Sequence, residues 1–354
     1  MKLGDKTVGA GFPVYVVAEL SANHGGSVQH AARTIRAAAA AGADAIKIQT
    51  YTADTVTIDC HNEYFTIRGG TIWDGCNLFQ LYKQAYTPWE WHAELQKAAQ
   101  ECGLGFFSTP FDNTAVDFLE DLNVPCHKVA SFELVDIPLL RKIGSTGKPV
   151  IMSTGMASKE EIHEAVDTLR KAGCGELILL KCTSAYPADP AEANLLTLPD
   201  LAKEFGCPVG LSDHTTGIAV SVAAVALGAC LIEKHFTISR ADGGPDSSFS
   251  LEPAEFKELV SEIRIAEKAL GTVRYGGTAS EEKSKAFRRS LFVVKDIKKG
   301  QPFSGENVRV IRPSNGLHPR ELDRVLGKTA SQDIAFGTPL IHELIEGFSP
   351  SGEA

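Results

Sequence analysis

The chain has 354 residues, 44% hydrophobic and 22% charged, a globular composition long enough for two domains or one large domain with an appendage. Its formal net charge of −9 argues against nucleic acid or an anionic membrane as a partner, and leaves room for a small anionic substrate held by a local cluster of cations. No apolar run is long enough to span a membrane, the opening Met1-Lys2-Leu3-Gly4-Asp5-Lys6 lacks the apolar core of a signal peptide, and the eight cysteines are scattered without a C-x-x-C pair, so we expect a cytoplasmic protein with free thiols.

From residue 14 to residue 270 the pattern alternates strand and helix eight times. Apolar runs bounded by turn residues predict strands at 14–19, 45–49, 105–108, 126–130, 149–153, 177–182, 208–212 and 230–235. The clearest helix is 253–270, with Phe256, Leu259, Val260, Ile263 and Leu270 on one face and Pro253 in its first turn. Ser158-Lys159-Glu160-Glu161 opens another helix as a capping box. Eight successive βα units predict an α/β fold, a (β/α)8 TIM barrel over residues 1–272. A doubly wound open sheet would call for a G-x-G-x-x-G turn, which is absent.

One interval breaks the rhythm. Residues 51–87 add about 35 residues between the second and third strands, and loops of that length in compact domains usually carry function. In a barrel this loop lies over the catalytic face, and Trp73, Tyr82 and Tyr86 give it ring faces suited to a sugar. A segment that only packs on the rim is the alternative. Residues 273–286 read as a linker, and 287–354 as a small β-rich domain with a weak internal repeat. Asp296-Ile297-Lys298-Lys299-Gly300-Gln301-Pro302 is echoed by Asp333-Ile334-Ala335-Phe336-Gly337-Thr338-Pro339. So small a domain folds alone only marginally, so we expect it to dock on something.

The carboxyl ends of the predicted strands collect the chemistry. Gly210-Leu211-Ser212-Asp213-His214 and Leu231-Ile232-Glu233-Lys234-His235 flank one helical stretch, so His214 and His235 stand at the same ends of neighbouring parallel strands. Two neutral imidazoles there can hold one divalent metal and leave positions open, or each can be a hydrogen-bonded strand-end histidine. Lys47, Lys128, Lys181 and Lys234 end alternate strands among small hydroxyl residues, which suits a phosphate and a carboxylate; independent core ion pairs are the other reading. A metal, an anion pocket, the carboxylate of Glu19 and a covering loop together suit carbon–carbon bond formation between an enol phosphate and an aldehyde. A Schiff-base aldolase using one strand-end lysine and a non-catalytic sugar-binding protein are the rival functions.

The motifs Ala18-Glu19-Leu20-Ser21-Ala22-Asn23-His24, Lys47-Ile48-Gln49-Thr50, Ser108-Thr109-Pro110-Phe111, Lys128-Val129-Ala130-Ser131, Ser153-Thr154-Gly155-Met156, Cys182-Thr183-Ser184-Ala185-Tyr186-Pro187, Gly210-Leu211-Ser212-Asp213-His214-Thr215 and Glu233-Lys234-His235-Phe236-Thr237 resemble, over nearly the whole chain, the sialic acid synthase family. Its members condense phosphoenolpyruvate with an amino sugar, using a barrel followed by an antifreeze-like (SAF) domain. The resemblance implies a divalent metal, manganese before magnesium or cobalt, on His214 and His235. It implies that Thr109, Lys128, Ser131, Ser153, Ser184 and Ser212 bind phosphoenolpyruvate. Glu19 and Lys47 would serve catalysis, and Gln49, Tyr186 and Asp246 would face the sugar.

Family members commonly carry isoleucine and glycine after the strand-one glutamate and histidine before the strand-six cysteine, where this chain has Leu20-Ser21 and Lys181. The long insertion, with Gly69-Gly70, Trp73-Asp74-Gly75 and Thr87-Pro88-Trp89-Glu90-Trp91, is similar to the bacterial pseudaminic acid branch. That branch uses a 2,4-diacetamido-2,4,6-trideoxy sugar. Arg312, in a turn-rich loop of the tail, resembles the arginine that the antifreeze-like domain lays over a neighbour's barrel, which implies a domain-swapped homodimer.

Overall fold

The computed structural model describes residues 1–349, so residues 350–354 of the expected tail domain lie outside the described residues. The chain divides into two compact units, Met1–Gly271 and a second beginning at Thr272.

The first unit is a closed barrel of eight parallel strands: β1 (Tyr15–Glu19), β2 (Ala45–Thr50), β3 (Gly105–Pro110), β4 (His127–Val129), β5 (Val150–Ser153), β6 (Leu177–Cys182), β7 (Val209–Asp213) and β8 (Leu231–His235). Each expected strand is present to within two residues at its ends, and Leu177–Cys182 matches its expected bounds. The barrel closes by pairing β8 with β1, His235 opposite Glu19. A helix follows every strand, from Val28–Ala40 after β1 to Pro253–Leu270 after β8. In that last helix Phe256, Leu259 and Ile263 are buried as its period requires, but Leu270, expected on the same face, is exposed where the helix ends. The capping box at Ser158 forms: its hydroxyl accepts from Glu161 N, and Glu161 accepts from Ser158 N at 2.7 Å.

Side chains alternate across the barrel wall. Val16, Ile46 and Ile232 belong to the layer between strands and helices, while Val17, Ala45, Phe107, Ile178 and Leu231 pack in the interior. An N-terminal hairpin, Lys2–Leu3 against Lys6–Thr7, adds Leu3 and Val8 to that interior cluster and closes the end opposite the site. Burying so much apolar surface low in the barrel leaves the upper interior free for polar groups. Among the described residues no helix is long and apolar enough to cross a membrane, and all eight cysteines are free.

The second unit has its own core around Leu291, Val293, Phe303, Val308 and Leu340, and an antiparallel pair, β9 (Ser290–Val293) and β10 (Val308–Ile311). The internal repeat pairs with itself. Ile297 and Ile334 exchange backbone hydrogen bonds, both 2.8 Å, while Asp333 accepts from Lys299 N and Asp296 from Phe336 N.

Candidate active site

The top of the barrel interior carries two ammonium groups and two carboxylates, all buried. Lys47 Nζ lies 2.9 Å from Glu19 Oε2 and 3.5 Å from Glu233 Oε1, and donates to Thr109 Oγ1 at 3.3 Å. The Glu19 contact is an ion pair off the hydrogen-bond line, so Glu19 Oε2 keeps an acceptor position free; its Oε1 accepts from Gln49 Nε2 at 3.2 Å. Lys128 Nζ donates to Ser153 Oγ at 2.6 Å and to Val129 O at 3.1 Å, 3.9 Å from Glu233 Oε1. Glu233 Oε1 also accepts from Ser212 Oγ at 3.1 Å. Burial pushes the Glu19 carboxyl up to about 7 against the pull of Lys47. Burial opposes charge on Glu233 too, but Lys128 and Lys47 outweigh it and hold that carboxyl below its usual range. Buried charges survive only when balanced, so this four-group cluster is neutral at rest and gains donors for an anion only by exchanging partners.

Beside Lys128 stands a serine cradle. Ser131 Oγ accepts from Gly155 N at 3.1 Å. A Cβ on Gly155 would collide with Ser184 Oγ and lie 2.7 Å from Ser131 Oγ, so only glycine lets the two hydroxyls come this close. With Ser153, Ser212 and Thr109 they supply short, rigid donors around the two inward lysines.

His214 and His235 face one another with ring centroids 5.3 Å apart. His214 Nδ1 is 2.9 Å from Thr183 O, which assigns the proton to Nδ1 and leaves the lone pair on Nε2. His235 Nδ1 is buried without a partner, and burial drives this imidazole well below its usual pKa, keeping it neutral. Burial opposes charge on His214 too, but Cys182 and the Thr183 carbonyl outweigh it and raise its pKa, so His214 would give up a proton where His235 has none to lose. With that proton lost, two imidazole nitrogens fit a divalent metal of borderline softness. Among the described residues no group of three or more His, Cys, Asp or Glu side chains forms a ready-made cage, so water or substrate would fill the remaining positions.

Aromatic rings cover the pair. Tyr186 lies 4.3 Å from the His214 ring, and Phe249 lies 5.0 Å from His235. Asp246 Oδ2 accepts from Ser21 Oγ at 2.5 Å and from Ala22 N at 3.3 Å, while Ser21 Oγ accepts from Gln49 Nε2 at 2.9 Å. Ser21 has φ 45°, left-handed backbone that glycine adopts without strain; here a serine takes it, and its hydroxyl joins Gln49 to Asp246.

The expectation for the lysines needs correction. Of the four lysines, only Lys47 and Lys128 point inward. Lys181 shares the outward parity of Leu177 and Leu179 and donates to Cys182 O at 2.9 Å. Lys234 is buried behind the wall, giving hydrogen bonds of 2.8 Å to Asp213 Oδ2 and 2.7 Å to Thr215 O, while Ser221 Oγ donates to the same Asp213 oxygen at 2.6 Å. Of the lid aromatics, Trp73 reaches the histidine side at 5.6 Å from Tyr186, whereas Tyr82 packs edge-on against Tyr51 at 5.8 Å. Arg312 is exposed at the end of β10 in the second unit, without an ion pair among the described residues.

Three site residues escaped the sequence reading. Glu233 binds both inward lysines. Cys182 Sγ lies 3.8 Å from His214 Nδ1 and 3.7 Å from Ser184 Oγ. Glu133, in the turn Ser131–Val135, has a buried unpartnered oxygen and is pushed by burial up to about 7. Strand parity could have found the first two, since Glu233 stands two residues before His235, and Cys182 two after the interior Leu180.

A family model described as the NeuB family matches residues 34–275, and an SAF domain model matches residues 288–344. The chain is 46% identical over 327 residues to a pseudaminic acid synthase of Campylobacter jejuni, spanning 92% of this chain and 95% of that one. It is 43% identical over 335 residues to a pseudaminic acid synthase of Helicobacter pylori, spanning 94% and 98%. Among solved structures, an N-acetylneuraminic acid synthetase of Leptospira borgpetersenii in complex with citrate superposes with a TM-score of 0.72 at 35% identity, covering 80% of this chain and 94% of that one.

Proposed function

The chain belongs to the NeuB family, and from that premise we propose that it is a pseudaminic acid synthase, condensing phosphoenolpyruvate with 2,4-diacetamido-2,4,6-trideoxy-L-altrose to pseudaminic acid and phosphate. The observation that carries the reading is one barrel mouth holding two inward lysines, a serine cradle and a pair of facing imidazoles.

Lys128, Thr109, Ser131, Ser153, Ser184 and Ser212 hold the phosphate and carboxylate of phosphoenolpyruvate, displacing Glu233 from the lysines as they do so. Gln49, Asp246 and Tyr186 orient the open-chain sugar. His214 and His235 would hold a divalent metal, which we assign as manganese with magnesium or cobalt as substitutes, and it would supply Lewis acidity for the sugar aldehyde. As the carbon 2–carbon 3 double bond of phosphoenolpyruvate opens, carbon 3 bonds to carbon 1 of the sugar, the carbonyl pair moves onto the aldehyde oxygen, which takes up a proton, and positive charge develops at carbon 2. Water then adds at carbon 2, its proton passing to Glu19, which burial keeps basic enough to take it and Lys47 keeps in place. The bond from carbon 2 to the bridging oxygen breaks and phosphate leaves.

The test is product mass. Phosphoenolpyruvate labelled with oxygen-18 in the bridge is offered with the altrose, with N-acetylmannosamine and with the legionaminic acid precursor. We expect a nonulosonic acid from the altrose, label in the phosphate and none in the sugar acid. Product from N-acetylmannosamine alone would overturn the substrate assignment, and label kept in the acid would overturn attack of water at carbon 2.

The active form in this reading is a domain-swapped homodimer in the cytoplasm, the compartment that suits eight free thiols. Phe132, Val135 and Met156, on the loops after β4 and β5 at the mouth, are 58%, 57% and 64% exposed, apolar surface that a second copy's SAF domain would cover. Arg312 would then meet the neighbour's substrate. Arg312→Ala and His214→Ala proteins, each nearly inactive, should regain activity when their subunits exchange, because a mixed dimer contains one intact site. No recovery in dimers shown to be mixed would exclude the shared site.

A further inference from the structure

The loop between β2 and β3 ends in a clasped hairpin. Gly75 N donates to Ile67 O and Ile67 N to Cys76 O, both 2.9 Å, and Thr66 pairs antiparallel with Asn77. Asp74 fixes the tip, accepting from Gly69 N at 3.2 Å, Gly70 N and Thr71 N at 2.9 Å each, and Thr71 Oγ1 at 2.8 Å. Trp73 is therefore presented by a turn whose backbone donors are already used.

The indole leans over the site. Its N–H donates to Pro245 O at 3.2 Å, beside Asp246, and its ring lies 5.6 Å from Tyr186 and 6.4 Å edge-on from Phe249. Those two rings touch the histidine pair, so Trp73 stands one ring further out. A six-carbon open chain with bonds of about 1.5 Å, begun at the histidines and run past Tyr186, points its carbons 4 to 6 toward Trp73. The candidate sugars differ in that half. The diacetamido-trideoxy sugar has an acetamido group on carbon 4 and a methyl at carbon 6, where N-acetylmannosamine has hydroxyls. An indole whose one donor is spent on Pro245 O offers a methyl group burial and offers a hydroxyl nothing.

We propose that Trp73 is the specificity-determining residue of this site, its indole face receiving the carbon-6 and 4-acetamido methyl groups and disfavouring the hydroxylated hexosamine. The proposal rests on the synthase reading above.

Trp73→Ala and Trp73→Phe are to be compared with the native chain for kcat/KM with each sugar, for KM of phosphoenolpyruvate and for melting temperature. Apolar contacts of this size discriminate by about 10–200-fold, and Trp73→Ala should erase that much of the preference for the diacetamido sugar. Trp73→Phe should restore most of it, with phosphoenolpyruvate KM and melting temperature unchanged in both. An equal fall with both sugars, or a risen phosphoenolpyruvate KM, would mean that Trp73 only props Tyr186 and would overturn the proposal. A native enzyme that condenses both sugars equally well would also overturn it while leaving the synthase reading intact.

Discussion

Replacing His214 or His235 by alanine should cost about 10³-fold in condensation rate, because a Lewis acid at the reacting carbonyl contributes several kcal/mol and each ~1.4 kcal/mol is a factor of ten. The fold should survive. Both rings stand at the mouth, and His235 leaves behind no hydrogen-bond partner, since its Nδ1 has none. Titration calorimetry should show manganese binding lost in each variant, chelator should inactivate the native protein to the same level, and chelator should do nothing further to the variants. Full turnover in the chelated native protein would remove the metal from the reading altogether.

Replacing Lys47 by methionine should be costly in a different currency. It leaves Glu19 and Glu233 buried with one partner fewer, and stripping one member from a buried ion pair typically destabilises by 3–5 kcal/mol, the magnitude expected here near neutral pH. The sign with pH follows from linkage. Burial already raises Glu19 to about 7 with Lys47 present, and removing the ammonium raises it further. A carboxyl whose folded pKa lies above its unfolded value binds more protons folded than unfolded, so stability falls as pH climbs from the unfolded pKa through the folded one. Lys47→Met should therefore unfold at much lower denaturant than the native chain at pH 8 and approach it near pH 5. Glu19→Gln in the same chain should return part of the loss. Equal denaturation midpoints at pH 8 would show that the pair does not carry the cluster.

The barrel was legible because its signals are local. Runs such as Leu177-Ile178-Leu179-Leu180 between turn residues are short enough to favour buried strands over helices, and two histidines 21 residues apart across a helix then share one end of the sheet. The strand-end lysines misled because position along a strand and direction across it are separate facts. Lys234 precedes His235 by one residue and so faces the helices, a conclusion available from alternation but not from listing what strands end in. The lid aromatics were beyond sequence for another reason. Trp73 reaches Tyr186 only because Asp74 folds the hairpin tip and Pro245 accepts the indole N–H, and contacts between residues 172 apart leave no local trace.

The outward pair of Asp213 and Lys234 has a consequence for the opposite side of the wall. Each stands one residue before a histidine, and together with Ser221 they bolt β7, β8 and the helix Ala219–Ala226 into one piece. The spread between the imidazoles is thus a property of a strut they never touch. A stiff strut would permit only a narrow range of nitrogen–nitrogen separation, so the size of any ion held between the rings would be limited from the dry layer behind them. Elastic resistance of the scaffold, rather than donor chemistry alone, then becomes part of how one ion is told from another.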